Sequence, residues 1–324
     1  MMNERENFFA MFDGLKNEYV PSFGMYCKAC ALPFDPEFAM VTGGMDGFGV
    51  NFVQTPTAPI PEPNRYLFED MEDWRECVHF PDLDKYDYKK MAEIELADFD
   101  PEKQVLYCLN GCVGPFTRLE YMIGFENALI ALAAEPEEFM AFADALADYH
   151  IKKIDKILEY YPIDVMWYGD DVAHSRGMFM SPESFRELIM PSTRRVIEYM
   201  RSKGTIVAYH CCGKCESIVP DLVDMGVQIW NSAQPSCDLV SVQKEYGSRL
   251  VLEGGWNSQG KPGTVDATAD DVCTEMKRCL EEYGPQKNFI IWATVFNEHG
   301  VASAENDDRI MPMMKVYMEN RNVA

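Results

Sequence analysis

The feature that most narrows the fold is the rhythm of the second half. Short β-rich apolar runs at 163–169, 205–210, 227–231, 250–253 and 289–293 alternate with helical patterns. Ser181-Pro182 supplies an N-cap and a proline suited to a first helical turn, and that pattern lasts to Gly204; later helices close near Gly226 and Gly247. Short buried strands joined by helix-length connections pair in parallel through right-handed crossovers.

The first half is less regular. A helix starting at Pro136 sets Phe139, Phe142, Ala143, Leu146, Ile154, Ile157 and Leu158 along one side, the mark of a helix packed on a sheet. Residues 20–25 and 104–109 read as two more strands. Between them, residues 62–102 hold 14 acidic against 5 basic residues, which reads as a solvated excursion carrying short helices. Seven strands are thus visible, and an eighth near Gly114 or over 48–53 would close a ring. The expectation is an α/β fold, a (β/α)8 TIM barrel, as one domain over 1–324 with an N-terminal helical and loop excursion. No GxGxxG follows any strand, which counts against an open dinucleotide-binding sheet.

Composition restricts partners. With 53 acidic and 29 basic residues the net charge is −24, which repels nucleic acid and anionic membrane surfaces. No run of about 18 apolar residues appears, and the first 20 residues lack a basic segment followed by an apolar core, so a soluble, cytoplasmic protein is expected. The 11 cysteines are odd in number in a long chain, so reduced thiols, some of them metal ligands, are expected rather than a disulfide framework.

In a parallel barrel the working groups stand where strands end. Those ends carry Gly169-Asp170-Asp171, His210-Cys211-Cys212-Gly213, Asn231-Ser232, Glu253-Gly254-Gly255-Trp256 and residues 294–299. His210 and Cys212 are two apart, so the strand period points both the same way and turns Cys211 towards the helices. An imidazole and a thiolate together suit zinc; the alternative is a hydrogen-bonded core histidine beside a small buried thiol. A third ligand could come from Glu253, or from Asp170 or Asp171 on the other side. Cys27-x-x-Cys30 with Cys212-x-x-Cys215 is a further grouping, a four-sulfur structural site. His174 and Arg176 follow on a loop suited to an anionic group. Trp167, Tyr168, Trp230, Trp256, Trp292 and Phe296 cluster at strand ends, where some could hold a flat ring while others pack the barrel. Gly43 opens a glycine-rich loop, GGMDGFGVN, at the mouth.

Several pieces together are similar to one family: NERENFFAMFDG, GGMDGFGVNF, FPDLDKYDY, GPFTRLEYMIGFENALIAL, YGDDVAHSRGMFMSPESFRELIMPS, YHCCGK, IVPDLVDMGVQIWNSAQP and LEGGWNSQG. The chain resembles the uroporphyrinogen decarboxylase superfamily over essentially its whole length, and within it the cobalamin-dependent methyltransferase branch. That resemblance implies the same (β/α)8 barrel with its site at the C-terminal mouth. The decarboxylases carry an arginine-rich N-terminal strand that grips substrate carboxylates, whereas VPSFGMYCKAC here has only Lys28.

Through the H-x-C-G element the resemblance implies His210 and Cys212 as zinc ligands, with Glu253 the first choice for the third. Thiol-methylating members carry a further cysteine on the last strand, and IIWATVFNEHG has none. The activity so implied is that of a zinc-dependent methyltransferase passing a methyl group from a small methylated substrate, favoured as a methoxylated aromatic, to the cobalt of a separate corrinoid protein. Asp170 or Asp171 would orient ligands or supply a proton, and Tyr168, His174 and Trp256 would contact substrate. The alternatives are transfer from methyl-corrinoid to a thiol, and a non-catalytic corrinoid- or porphyrin-binding barrel.

Overall fold

The computed structural model describes residues 2–55, 58–298 and 300–322. Seven parallel strands form its sheet: β1 (Cys27–Cys30), β2 (Val105–Val113), β3 (Val165–Gly169), β4 (Ile206–His210), β5 (Ile229–Ala233), β6 (Val251–Gly254) and β7 (Phe289–Ile291). Each is hydrogen-bonded to its neighbours in chain order. Helices cover the outside, as the alternation of patterns requires, and the arrangement is that of a (β/α)8 barrel.

Closure differs from the expectation at two places. The predicted strand 20–25 is broken: Ser22 bridges Ile291 in parallel and Pro21 accepts the Ile291 N–H at 3.0 Å, after which Phe23–Tyr26 make a helical turn before β1 begins. This interrupted segment joins β7 to β1 and takes the place of an eighth strand. The turn also delivers Tyr26 into the interior, where its hydroxyl meets Glu253. Residues 48–53 do not enter the barrel; Asn51–Val53 pairs with Gly44–Met45 and Ile60–Pro61 in a separate antiparallel sheet. Gly43, Gly44 and Gly49, all at positive φ, favour tight turns there over a long parallel strand. Gly114 is the N-cap of helix α2 (Pro115–Ile123), directly after β2.

The two-residue period sorts the strands into two layers. Val105, Tyr107, Val165, Trp167, Ile206, Ala208, Ile229, Val251 and Ile290 fill the barrel, and helix α1 (Glu4–Phe12) plugs one end with Phe8 and Met11. Their alternates, including Met166, Tyr168, Tyr209 and Trp230, face the helices. His210, Asn231 and Glu253 continue the inward series, so polar chemistry begins where the apolar filling stops.

The excursion between β1 and β2 carries short helices, the longest being Tyr88–Glu95. A wholly buried charge cluster fixes it to the barrel. Arg118 on α2 pairs with Glu37 at 2.6 Å and Asp46 at 2.8 Å, and Lys153 on helix α3 (Pro136–Tyr160) reaches Asp35 at 2.9 Å and Glu37 at 3.0 Å. Buried charges persist only when paired in this way.

Candidate metal centre at the barrel mouth

β4 ends on His210 and the chain then turns through Cys212 and Gly213. Gly213 has φ +98°, and a Cβ there would lie 2.7 Å from the His174 carbonyl carbon, so the turn presses against the hairpin holding Ala173–His174. The result sets the Cys212 sulfur 3.4 Å from His210 Nε2. Asp171, just past the end of β3, brings Oδ1 to 3.8 Å from the same nitrogen. Oδ1 also accepts the Cys212 backbone N–H at 2.7 Å. One ligand atom from each of Asp171, His210 and Cys212 lies within 4.8 Å of the others, the one such grouping among the described residues. An oxygen, an imidazole nitrogen and a sulfur facing one point fit zinc, and three protein ligands leave a position for substrate or water.

The other face of the imidazole is held from below. Asn231 Nδ2 donates to Glu253 Oε2 at 2.8 Å, so its Oδ1 faces His210 Nδ1. A carboxylate only accepts, which fixes the amide orientation, makes Nδ1 a proton donor to Asn231 and leaves Nε2, facing Cys212 and Asp171, as the nitrogen that takes either a proton or a metal. Burial would hold the imidazolium down, but the Cys212 sulfur and the Asp171 charge overcome it and push His210 up to about 10. The anionic surroundings that raise a proton's affinity also favour a metal cation.

Glu253 does not stand with these three ligand atoms. It is fully buried, and its carboxylate takes hydrogen bonds from Tyr26 at 2.6 Å, Tyr107 at 2.9 Å and Asn231. The strand does aim it inward, in register with Asn231 and His210, but both of its oxygens are engaged by the two tyrosines and by Asn231, which it anchors. Asp170 is also buried: Oδ1 accepts the Thr117 N–H at 2.8 Å and Oδ2 has no partner. Burial, with the Asp171 charge adding to it, pushes its carboxyl up to about 7 against the opposing Thr117 bonds. Thr117 serves both acids, since its hydroxyl accepts the Asp171 N–H at 2.8 Å. Gly114 makes this fit possible, because a Cβ there would lie 2.4 Å from the Asp170 side chain.

Of the residues expected to contact substrate, Trp256 reaches the mouth and Tyr168 does not. Tyr168 is in the helix-facing layer, stacked on Tyr209 with its hydroxyl 3.1 Å from Thr193 Oγ1, because it falls one residue out of phase with Trp167 and Gly169. His174 stacks on Phe179 and its carbonyl accepts the Lys214 N–H at 2.8 Å; it braces the Cys212 turn. The four-sulfur grouping does not form among the described residues, since Cys30 lies against the Tyr107 carbonyl and Cys215 beside Cys211. Of the strand-end stretch 294–299, His299 lies outside the described residues.

Two cavities flank the centre, and a third of about 300 Å³, lined by Thr117, Asp171, His210 and Trp292 among others, lies between them. One of about 640 Å³ opens over Cys212, Asp171, Thr117, Glu120, Tyr121 and Tyr66. Glu120 carries no motif that would single it out in the sequence; burial, with the Asp171 charge, pushes its carboxyl up to about 7. The other, about 340 Å³, lies on the His210 side against Trp256 and Trp292. Trp292 is held in orientation by stacking on Phe23 at 4.2 Å.

Fold and site together define a parallel α/β barrel with a candidate metal centre at the C-terminal ends of its strands. The chain belongs to the uroporphyrinogen decarboxylase (URO-D) family, whose model matches residues 39–311. It is 25% identical over 175 residues to the methylcobamide:CoM methyltransferase MtaA of Methanosarcina barkeri, a match covering 53% of this chain and 49% of that protein. The matched segment thus spans about half the length of that curated relative. A solved methyltransferase from Methanosarcina mazei superposes with a TM-score of 0.67 at 17% identity, covering 98% of this chain and 99% of the other, which establishes the shared fold. The resemblance read from the sequence therefore holds for the family and for the barrel.

Proposed function

We propose that this protein is a zinc-dependent methyltransferase that moves a methyl group between a small methylated substrate and the cobalt of a separate corrinoid protein. The observation that carries the reading is the convergence of Asp171, His210 and Cys212 between two cavities, one lined by Asp171 and Cys212 and the other by His210. Bound there, zinc would supply Lewis acidity to a heteroatom that gains charge as its methyl group leaves. Asn231 holds the imidazole in the ligating tautomer, and Glu253 holds Asn231. Asp170 and Thr117 keep Asp171 in place from behind.

A methoxylated aromatic is the favoured donor, because Trp256 and Trp292 offer indole surfaces beside His210. In that direction the methyl carbon–oxygen bond breaks with its electron pair left on oxygen, and a reduced cobalt centre supplies the pair for the new cobalt–carbon bond. The larger cavity, rimmed by the exposed Ile60 and Tyr66, is the side open to a partner domain. The similarity to a methylcobamide:CoM methyltransferase supports a second reading, transfer from methylcobamide to a thiol.

Metal analysis and cobalt spectroscopy test both. Stoichiometric zinc that is lost in Cys212→Ser, together with methylation of a reduced corrinoid protein by methoxyarenes, is the expected result. Demethylation of methylcobamide by a thiol, with methoxyarenes inert, would select the second reading. Full activity in metal-free protein would overturn both.

A further inference from the structure

The loop after β6 carries Trp256 to the cavity beside His210 behind two glycines, Gly254 and Gly255. Gly255 has φ +72°, a conformation that favours glycine, and a Cβ there would lie 2.8 Å from the Phe289 ring and 2.9 Å from the Tyr283 ring. Glycines free the backbone, so an indole placed after two of them keeps one position only if its own backbone is held.

That hold comes from outside the barrel, from helix α4 (Ala269–Tyr283). Arg278 Nη2 donates to the Gly255 carbonyl at 2.7 Å, and Glu275 Oε1 accepts the Asn257 N–H at 2.9 Å. The two side chains, three apart on one face of α4, are themselves joined through the same two atoms, Nη2 to Oε1 at 2.6 Å, and again from Arg278 Nε to Glu275 Oε2 at 2.9 Å. Glu282 and Tyr283 take the remaining Arg278 nitrogen at 2.7 and 3.2 Å and keep the guanidinium from turning away.

The Gly255 carbonyl belongs to the peptide plane before the Trp256 Cα, and the Asn257 N–H to the plane after it. Each peptide is rigid, so fixing both planes fixes φ and ψ at Trp256 and with them the direction in which its side chain leaves the backbone. A carbonyl only accepts and an N–H only donates, so the grip requires a donor before Trp256 and an acceptor after it. One Arg–Glu pair supplies the two in that order. Glu275 is 8% exposed, and hydrogen bonds to charged groups are the stronger kind.

We infer that Glu275 and Arg278 are positioning residues, which act through the backbone on either side of Trp256 to hold its indole as a fixed wall for the aromatic ring of the substrate. A binding group works when the residues behind it keep it within about 0.5 Å of its place, and here those residues lie on a helix rather than on the loop itself. This inference rests on the reading above for the ligand, a methoxylated aromatic; the hold on Trp256 is a separate matter and is read separately.

Fluorine NMR of the full, metal-loaded chain, with its five tryptophans carried as fluorotryptophan, tests it, and Trp256→Phe assigns the resonance. In Glu275→Ala and in Arg278→Met the Trp256 line should shift and broaden, while the other tryptophan lines and the zinc content stay as in the native chain. Glu275→Gln keeps an oxygen that accepts the Asn257 N–H and should return the line close to its native position. Anisole affinity, read by calorimetry, should fall about tenfold in the two disrupting variants, the worth of a hydrogen bond to a charged group, and less than about twofold in Glu275→Gln. An unmoved Trp256 line in both disrupting variants, movement of all five lines together, or a moved line with undiminished anisole affinity overturns the proposal. Absence of anisole binding by the native chain, with methylcobamide demethylated by a thiol, would sink the aromatic-donor reading instead, and the hold on Trp256 would then stand or fall on the fluorine line alone.

Discussion

Asn231 joins His210 to Glu253: one end of its amide meets the imidazole Nδ1 and the other donates to the buried carboxylate at 2.8 Å. This relay decides which imidazole nitrogen faces the cluster. Partners of this kind, behind a metal-bound histidine, typically contribute 10–100-fold in metal affinity. Asn231→Ala should therefore weaken zinc binding by roughly that factor while the protein stays folded, measurable by competition with a chromogenic chelator and by circular dichroism.

Asp171 and Glu253 make opposite predictions as candidate third ligands. If Asp171 supplies the oxygen ligand, Asp171→Ala removes a contact to the metal itself, and Glu253→Gln leaves all three ligand atoms in place. Zinc should be lost from the first on dialysis against a chelator and retained, with affinity down by about tenfold, in the second. Retention in Asp171→Ala with loss in Glu253→Gln would return Glu253 to the ligand set.

The buried cluster that holds the excursion should dominate stability. Arg118 faces both Glu37 and Asp46 with no exposure to solvent. Arg118→Met leaves Asp46 without a cationic partner in the interior and Glu37 with Lys153 alone, and breaking a buried pair from one side costs about 3–5 kcal/mol. Urea unfolding should show a loss of that order. A change below about 1 kcal/mol, the worth of a surface pair, would mean that water reaches the cluster.

Much of this was legible in one sequence, and the omissions have physical reasons. The strand–helix alternation is local, so β3 to β7 emerged close to their positions. His210 and Cys212 followed from the two-residue period at a strand end. The same period, applied to β3, separates Tyr168 from the mouth: Gly169 is the register partner of His210, so its neighbour must face the helices. Glu253 has the right phase, but its carboxylate is occupied by the hydroxyls of Tyr26 and Tyr107, which lie 227 and 146 residues away in the chain. Closure by Pro21 and Ser22 is likewise a long-range pairing, invisible to local pattern. The ion cluster did leave a trace, since His150 and Lys153 occupy the apolar face of α3 beside Ile154 and Ile157, where unpaired charge would not survive.

His150 gives the pH prediction. It is fully buried on α3, with Nε2 3.8 Å from Glu37 Oε1 and neither ring nitrogen hydrogen-bonded. Burial lowers its pKa below the usual 6.5, outweighing the attraction of Glu37, while Lys153 and Arg118 push the same way as burial. A base whose folded pKa is depressed takes up its proton first in the unfolded chain. The contribution of this group to stability must then fall as pH drops through about 6.5, because at this site the unfolded state binds more protons there. Relative to His150→Gln, which cannot titrate, the native protein should lose melting temperature as pH falls from about 7.5 to about 5.5, and the comparison separates His150 from Asp170, Glu120 and His210, whose raised pKa values act in the opposite direction. An identical slope in the two proteins would mean that His150 keeps the same proton affinity folded and unfolded.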